Sequence, residues 1–183
     1  MLPRLEFVHS NQKGFTLLEL IIAIAIAGLI TAGITVAIMQ ILTINHRASN
    51  HMIAVRQVQQ AGKEVSKDTL QAQPNKIDDD PDDPPDAFLV LNWTDSEGGN
   101  HTVVYTLQTM ASSPALSMLA RNHTIDGTAQ TTAPPVVAEY IDPNQTSCNW
   151  TGNVLTFNVT ATVGEESETR TYEIEPRPSP PST

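Results

Sequence analysis

A chain of 183 residues with an ordinary apolar fraction of 40% allows one domain of moderate size plus an extended element. Its formal charge of −10 gathers towards the C-terminus: from Ile77 onward sixteen acids meet three bases, Arg121, Arg170 and Arg177. That field repels phosphate backbones and argues against general nucleic-acid binding by this part, while the single cysteine, Cys148, excludes an intrachain disulfide and reads as a small buried apolar residue.

The first fourteen residues, MLPRLEFVHSNQKG, form a polar leader with no apolar core of its own. A secretory signal places a small-residue cleavage site after an apolar region of about 7–15 residues. Here the apolar run, Phe15 to Ile44, is thirty residues long and holds one charge, Glu19. Ala25, Ala27 and Gly28 imitate such a site, but cutting there would leave an insoluble end. The run is instead predicted to be a membrane-crossing helix. Charge does not assign its direction: the leader has Arg4 and Lys13 against Glu6, and the far flank is more basic. Glu19 is costly if ionised in hydrocarbon. Two readings stay open, a carboxylate that snorkels from near the membrane surface and one that finds a cationic partner.

No proline occurs between Pro3 and Pro74, and an apolar stripe continues at Met52, Val55, Val58, Ala61 and Val65. The spacing predicts one helix from Phe15 to about Ala72, roughly 87 Å long. Its first half (15–44) is expected in the membrane, and its second half (45–73) on a globular head. Gly28 is read either as a soft point in this helix or as a place of close helix packing. Residues 74–86 follow as an acidic, proline-rich linker containing DDDPDDPPD. The main expectation there is solvation; the alternative is Ca2+ held by Asp78, Asp80, Asp82 and Asp83, although the EF-hand spacing is missing.

The head, 87–176, shows six runs of strand character: Phe88–Trp93, Thr102–Met110, Ala115–Arg121, Val136–Ile141, Val154–Val163 and Thr169–Glu175. In the fifth, Leu155, Phe157, Val159, Ala161 and Val163 share one face. The fold class expected is α+β: a long N-terminal helix whose second half packs on a small antiparallel sheet. Residues 177–183 read as a disordered tail.

Lys13-Gly14-Phe15-Thr16-Leu17-Leu18-Glu19-Leu20 resembles the class III signal peptides of type IV pilins and of the pseudopilins of type II secretion systems. The resemblance implies cleavage after Gly14 by a membrane aspartic peptidase, N-methylation of Phe15, and an assembly role for Glu19, which becomes the fifth mature residue. It also implies single-pass insertion in the cytoplasmic membrane with the head outside the cytoplasm, and then incorporation into a surface or periplasmic filament. The implied partners are other pilin or pseudopilin subunits, the prepilin peptidase/methyltransferase and an inner-membrane assembly platform. Many type IV pilins have a proline at the twenty-second mature position, where this chain has Val36. Val55–Ala61, Val65-Ser66-Lys67-Asp68, Val104-Tyr105-Thr106-Leu107, Leu119-Ala120-Arg121 and Tyr172–Arg177 resemble the J-type minor pseudopilins and their PilW-like pilus counterparts.

His9, His46, His51, His101 and His123 have no metal-ligand spacing, no nucleophile elbow or phosphate loop occurs, and each histidine reads as a surface polar residue. No enzyme activity, cofactor or metal is expected. Asn92, Asn100, Asn122, Asn144, Asn149 and Asn158 each open an N-x-T triplet. These are N-glycosylation candidates except Asn158, which falls inside a predicted strand; the plainer reading is a threonine-rich β domain. Two functions from different classes therefore stand: a structural filament subunit, and a tip adhesin or substrate-binding head that uses the helix mainly as a tether.

Overall fold

The computed structural model describes residues 14–81, 87–131 and 135–177. The leader before Gly14, Asp82 and Asp83 of the acidic run, and the tail from residue 178 lie outside them. The described chain divides at Asn45 into two compact units, one of apolar helix and one, from His46, of helix plus sheet.

Helix α1 (Leu17–Thr69) is unbroken through Gly28 and Gly33. In its first unit Thr31, Thr35 and Thr43 donate their hydroxyls to the carbonyls four residues back, at 2.8–2.9 Å. Bonding of that kind satisfies a polar group without water, which an apolar solvent demands. In the second unit the buried face is Ala54, Val58, Ala61, Gly62, Val65, Asp68 and Thr69. This corrects the expected stripe at its start: Met52 is exposed and Val55 only half-buried. Each step of three residues lags the helix period by about 60°, so two in succession carry Met52 off the face.

After α1 a 3-10 turn (Pro74–Lys76) and β1 (Ile77–Asp78) lie inside the segment read as linker. There follow β2 (Ala87–Thr94), β3 (Asn100–Met110), β4 (Ser113–Ile125), β5 (Thr128–Ala129), β6 (Val136–Ile141), β7 (Ser147–Thr151), β8 (Val154–Val163) and β9 (Glu166–Ile174). All pairings among these strands are antiparallel, in the order β1-β2-β3-β4-β6-β8-β7, with β5 against β4 and β9 against β8. The six expected strands are all present, several of them longer. The two-residue β1 and β5 are too short to alternate, and β7 alternates at Cys148 and Trp150 over only five residues.

Turn chemistry explains the hairpins. Asp126-Gly127 and Gly152-Asn153 take positive φ at both central positions, as a two-residue loop matched to strand twist requires. In β6 the register against β4 slips between Ser117↔Ile141 and Leu119↔Ala138, and the extra residue includes Tyr140 at φ 60°. Gln57 Oε1 accepts the Glu139 N–H at 2.8 Å beside this bulge, so a helix side chain replaces the lost ladder bond.

The core lies between the second part of α1 and one face of the sheet. Leu89, Leu91 and Trp93 from β2, Val103 and Tyr105 from β3, Leu119 from β4, and Leu155, Phe157, Val159 and Ala161 from β8 are buried there. Phe88 of β2 meets Phe157 of β8 edge-on at 6.1 Å, and Asp79, just past β1, accepts the Trp150 N–H of β7 at 2.7 Å. The first and last parts of the sheet path are thus within side-chain reach of one another. Asp79 is accordingly a structural clasp on β7.

Candidate functional site

The N-terminal site starts at Gly14, where an added Cβ would meet nothing within 4 Å. Phe15 is 86% exposed. Thr16 caps α1: its Oγ1 accepts the Glu19 N–H at 3.2 Å and its carbonyl the Leu20 N–H at 3.2 Å. Glu19 therefore occupies the third helical position, where an acid complements the unpaired N–H groups and the helix dipole. Beyond it, Leu17, Leu18, Ile24, Leu29, Met39 and Ile44 are all more than half exposed. A helix apolar all round, with no charge between Glu19 and Arg47, is long and greasy enough to cross a bilayer.

A second constellation lies where α1 ends on the sheet. Asp68, 1% exposed, receives Arg121 Nε at 2.6 Å on Oδ2 and Nη2 at 3.0 Å on Oδ1, and the Tyr105 hydroxyl at 2.6 Å on Oδ2. These residues belong to three of the segments that carry the J-type resemblance. The carboxylate hydrogen bonds hold the Arg121 guanidinium firmly protonated. Burial first, and then the Asp68 charge, push the Tyr105 phenol far above its ordinary range, so it stays a donor. The group is saturated and closed: it holds structure and presents no reactive atom.

His101 and His123, expected as separate surface residues, are brought together, Nδ1 to Nε2 at 2.9 Å, with Asp95 Oδ2 at 3.0 Å from His101 Nε2. Strand register does this: Trp93 faces His101 across β2–β3, and His123 faces the neighbouring Val103 across β3–β4. His46 and His51 remain exposed on α1, and His9 lies outside the described residues. Cys148 is half-buried against the core, and burial pushes its thiol up, which suits a packing role. Of the Ca2+ candidates, Asp78 accepts the Asp80 N–H at 3.3 Å and both are exposed. Among the described residues no three His, Cys, Asp or Glu side chains are grouped to hold a metal ion.

The N-x-T asparagines differ in availability. Asn92 donates to the Lys76 carbonyl and accepts from Thr102 Oγ1, and Asn158 is similarly engaged by Ser147 and Thr171. Asn100 accepts from Thr94 and donates to Asp126, and Asn122 lies half-buried within β4. Asn144 and Asn149 are exposed, Asn144 in the turn before β7 and Asn149 within it.

A family model, the prokaryotic N-terminal methylation motif, matches residues 9–35. It spans Gly14, Phe15, Glu19 and the first turns of α1. No curated protein and no solved structure matches the chain. The N-terminus therefore carries the motif of type IV pilin-like precursors, and the long apolar helix followed by an antiparallel sheet domain is the α+β, pilin-like arrangement. The motif points to a structural subunit anchored in a membrane.

Proposed function

We propose that the chain is the precursor of a minor pilin-like subunit, of J-type character, built into a type IV pilus or a type II secretion pseudopilus. The observation that carries this reading is the coincidence of the methylation motif over residues 9–35 with a helix whose apolar side chains are exposed on every face from Leu17 to Ile44. In this reading the peptidase cuts after Gly14 and the new amine at Phe15 is methylated. Membrane and then neighbouring subunits cover the apolar surface. The methylated amine is still a cation. In a filament it neutralises Glu19 of an adjacent subunit, which sets axial register as buried ion pairs do elsewhere. Glu19 lies only about 6 Å along the helix from Phe15, so in the lone subunit it reaches the membrane surface.

N-terminal mass spectrometry of the mature protein tests the processing: a chain starting at methylated Phe15 is expected, and a start elsewhere rejects the class. Gly14→Leu is expected to leave the 19.9 kDa precursor uncut in the membrane. Glu19→Ala and Glu19→Gln should both be cut yet enter filaments poorly. The glutamine variant separates two roles, since it retains a side chain able to cap α1 but has no charge. Wild-type incorporation of Glu19→Gln would sink the pairing argument.

A further inference from the structure

The rings of His101 and His123 lie within 25° of one plane with centroids 5.2 Å apart. That separation is close to their 2.9 Å nitrogen–nitrogen distance plus the two ring radii, so the imidazoles are joined edge to edge and in line. Asp95 terminates the chain at His101 Nε2, and its other oxygen, Oδ1, accepts the Glu97 and Gly99 N–H groups of the β2–β3 turn at 2.9 and 2.8 Å. The indole of Trp93 lies over both imidazoles, with centroids at 4.9 and 5.8 Å and planes within 16° and 23°. One turn and three strands are tied together through this cluster.

An in-line contact between two imidazoles has room for one proton between the nitrogens. With both rings neutral, Asp95 keeps a proton on His101 Nε2, and His101 Nδ1 accepts from His123 Nε2–H. A first added proton enters at His123 Nδ1 while the shared one moves to His101 Nδ1. His101 is then an imidazolium donating to Asp95 and to His123, and the chain stays intact. A second added proton sets N–H against N–H, and the contact must open.

We propose that Asp95, His101 and His123 form a proton-controlled latch at this end of the sheet, closed with at most one imidazolium and opened by the second, which frees Trp93 from its stack. The groups around it favour that order. Arg121, two residues along β4, and Lys67 of α1 oppose a charge on His123. Asp68 of α1 favours one, but its carboxylate is already taken up by Arg121 and Tyr105. Asp126, at the β4–β5 turn, is engaged with the Asn100 N–H at 3.0 Å. Burial first, then Arg121, holds the His123 imidazole below its ordinary value, and the His101 hydrogen bond holds the Asp95 carboxyl below the usual carboxylate range. A histidine depressed in the folded state gives stability that is complete above the unfolded value of about 6.5 and is lost as pH falls beneath it.

The test is urea unfolding of the full chain in detergent micelles, followed by Trp93 emission in a Trp150→Phe background, from about pH 7.5 to about pH 5. The midpoint is expected to fall below about pH 6.5, with Trp93 emission of the folded protein changing over the same interval. His123→Phe keeps a ring beneath the indole but binds no proton, and should flatten both profiles. An unchanged acid slope in His123→Phe, or Trp93 emission that is constant across the interval in the parent, overturns the latch. Should His123→Phe not fold, imidazole nitrogen NMR on the unsubstituted chain decides. The latch requires His101 protonated on Nε2 at neutral pH and a two-step titration shared by the pair. Independent titration of the two rings overturns it.

Discussion

Asp68→Ala is expected to destabilise the helix-and-sheet unit by about 3–5 kcal/mol, the usual cost of removing one member of a buried ion pair. The reason is what remains behind. Arg121, with its side chain only 18% exposed, would keep its charge, and the Tyr105 hydroxyl would lose its acceptor in the core. Arg121→Met alone should be comparably damaging, because it strands the Asp68 carboxylate. Replacing both, Asp68→Leu with Arg121→Met, should recover most of the loss, since an apolar pair of similar volume avoids desolvating two charges. Urea midpoints in micelles of the parent, Asp68→Leu, Arg121→Met and the double variant give the coupling directly. A single-variant loss below about 1 kcal/mol would place this pair with exposed salt bridges and refute its burial. The contrast within the same unit is Arg47–Glu165 at 3.2 Å, with side chains 61% and 82% exposed, whose removal should be nearly silent.

The latch and the ion pair share a cause, which is the polar end of an otherwise apolar helix face. Ala54, Val58, Ala61 and Val65 fill the middle of the sheet, and the next residue on that face is Asp68. An acid there cannot be solvated, so the sheet must supply a cation, and Arg121 does. Arg121 in turn repels a proton from His123, two residues further along the same strand face. The chemistry of this end of the sheet therefore descends from one buried acid.

How much of this could be read from residues alone depends on sequence separation. The Gly14-Phe15 pair, Glu19 and the apolar run lie within thirty-one residues, Gly14 to Ile44, and need only local pattern to be recognised. The long strands declare themselves by alternation, as Leu155, Phe157, Val159 and Ala161 do. Strand β7, Ser147–Thr151, alternates Cys148 and Trp150 with polar residues over only five positions, too short a run to stand out, and is held by pairing with β8 and by the Asp79 carboxylate. Asp68 and Arg121 are 53 residues apart, and His101 and His123 are 22 apart. Their meeting follows from register, which composition does not encode. One signal was available. Asp68 continues the 54, 58, 61, 65 spacing, and an acid on a buried stripe calls for one of only three bases beyond Ile77.

Gly62→Val is expected to be the other severe substitution, with a loss at or above the upper end of the usual overpacking range of about 1–3 kcal/mol. Glycine within a helix ordinarily costs about 1 kcal/mol against alanine, so Gly62 must answer another need. That need is Tyr172 of β9, whose ring lies so close to the helix backbone that a Cβ at position 62 would overlap it. Its hydroxyl donates to the Val58 carbonyl at 3.1 Å, and its ring packs on Phe157 at 6.3 Å. Neither the helix nor the strand can retreat without breaking one of these contacts. Gly62→Ala should already lose stability, although alanine is the better helix former. Tyr172→Ala alone should cost about 3–5 kcal/mol by the cavity it leaves. Combining it with Gly62→Val refills part of that space, so the double variant should be more stable than the sum of the two losses implies. Strict additivity in the four urea midpoints would show that Gly62 and Tyr172 are not in contact. A stabilising Gly62→Ala would show that helix propensity, rather than the ring, governs the position.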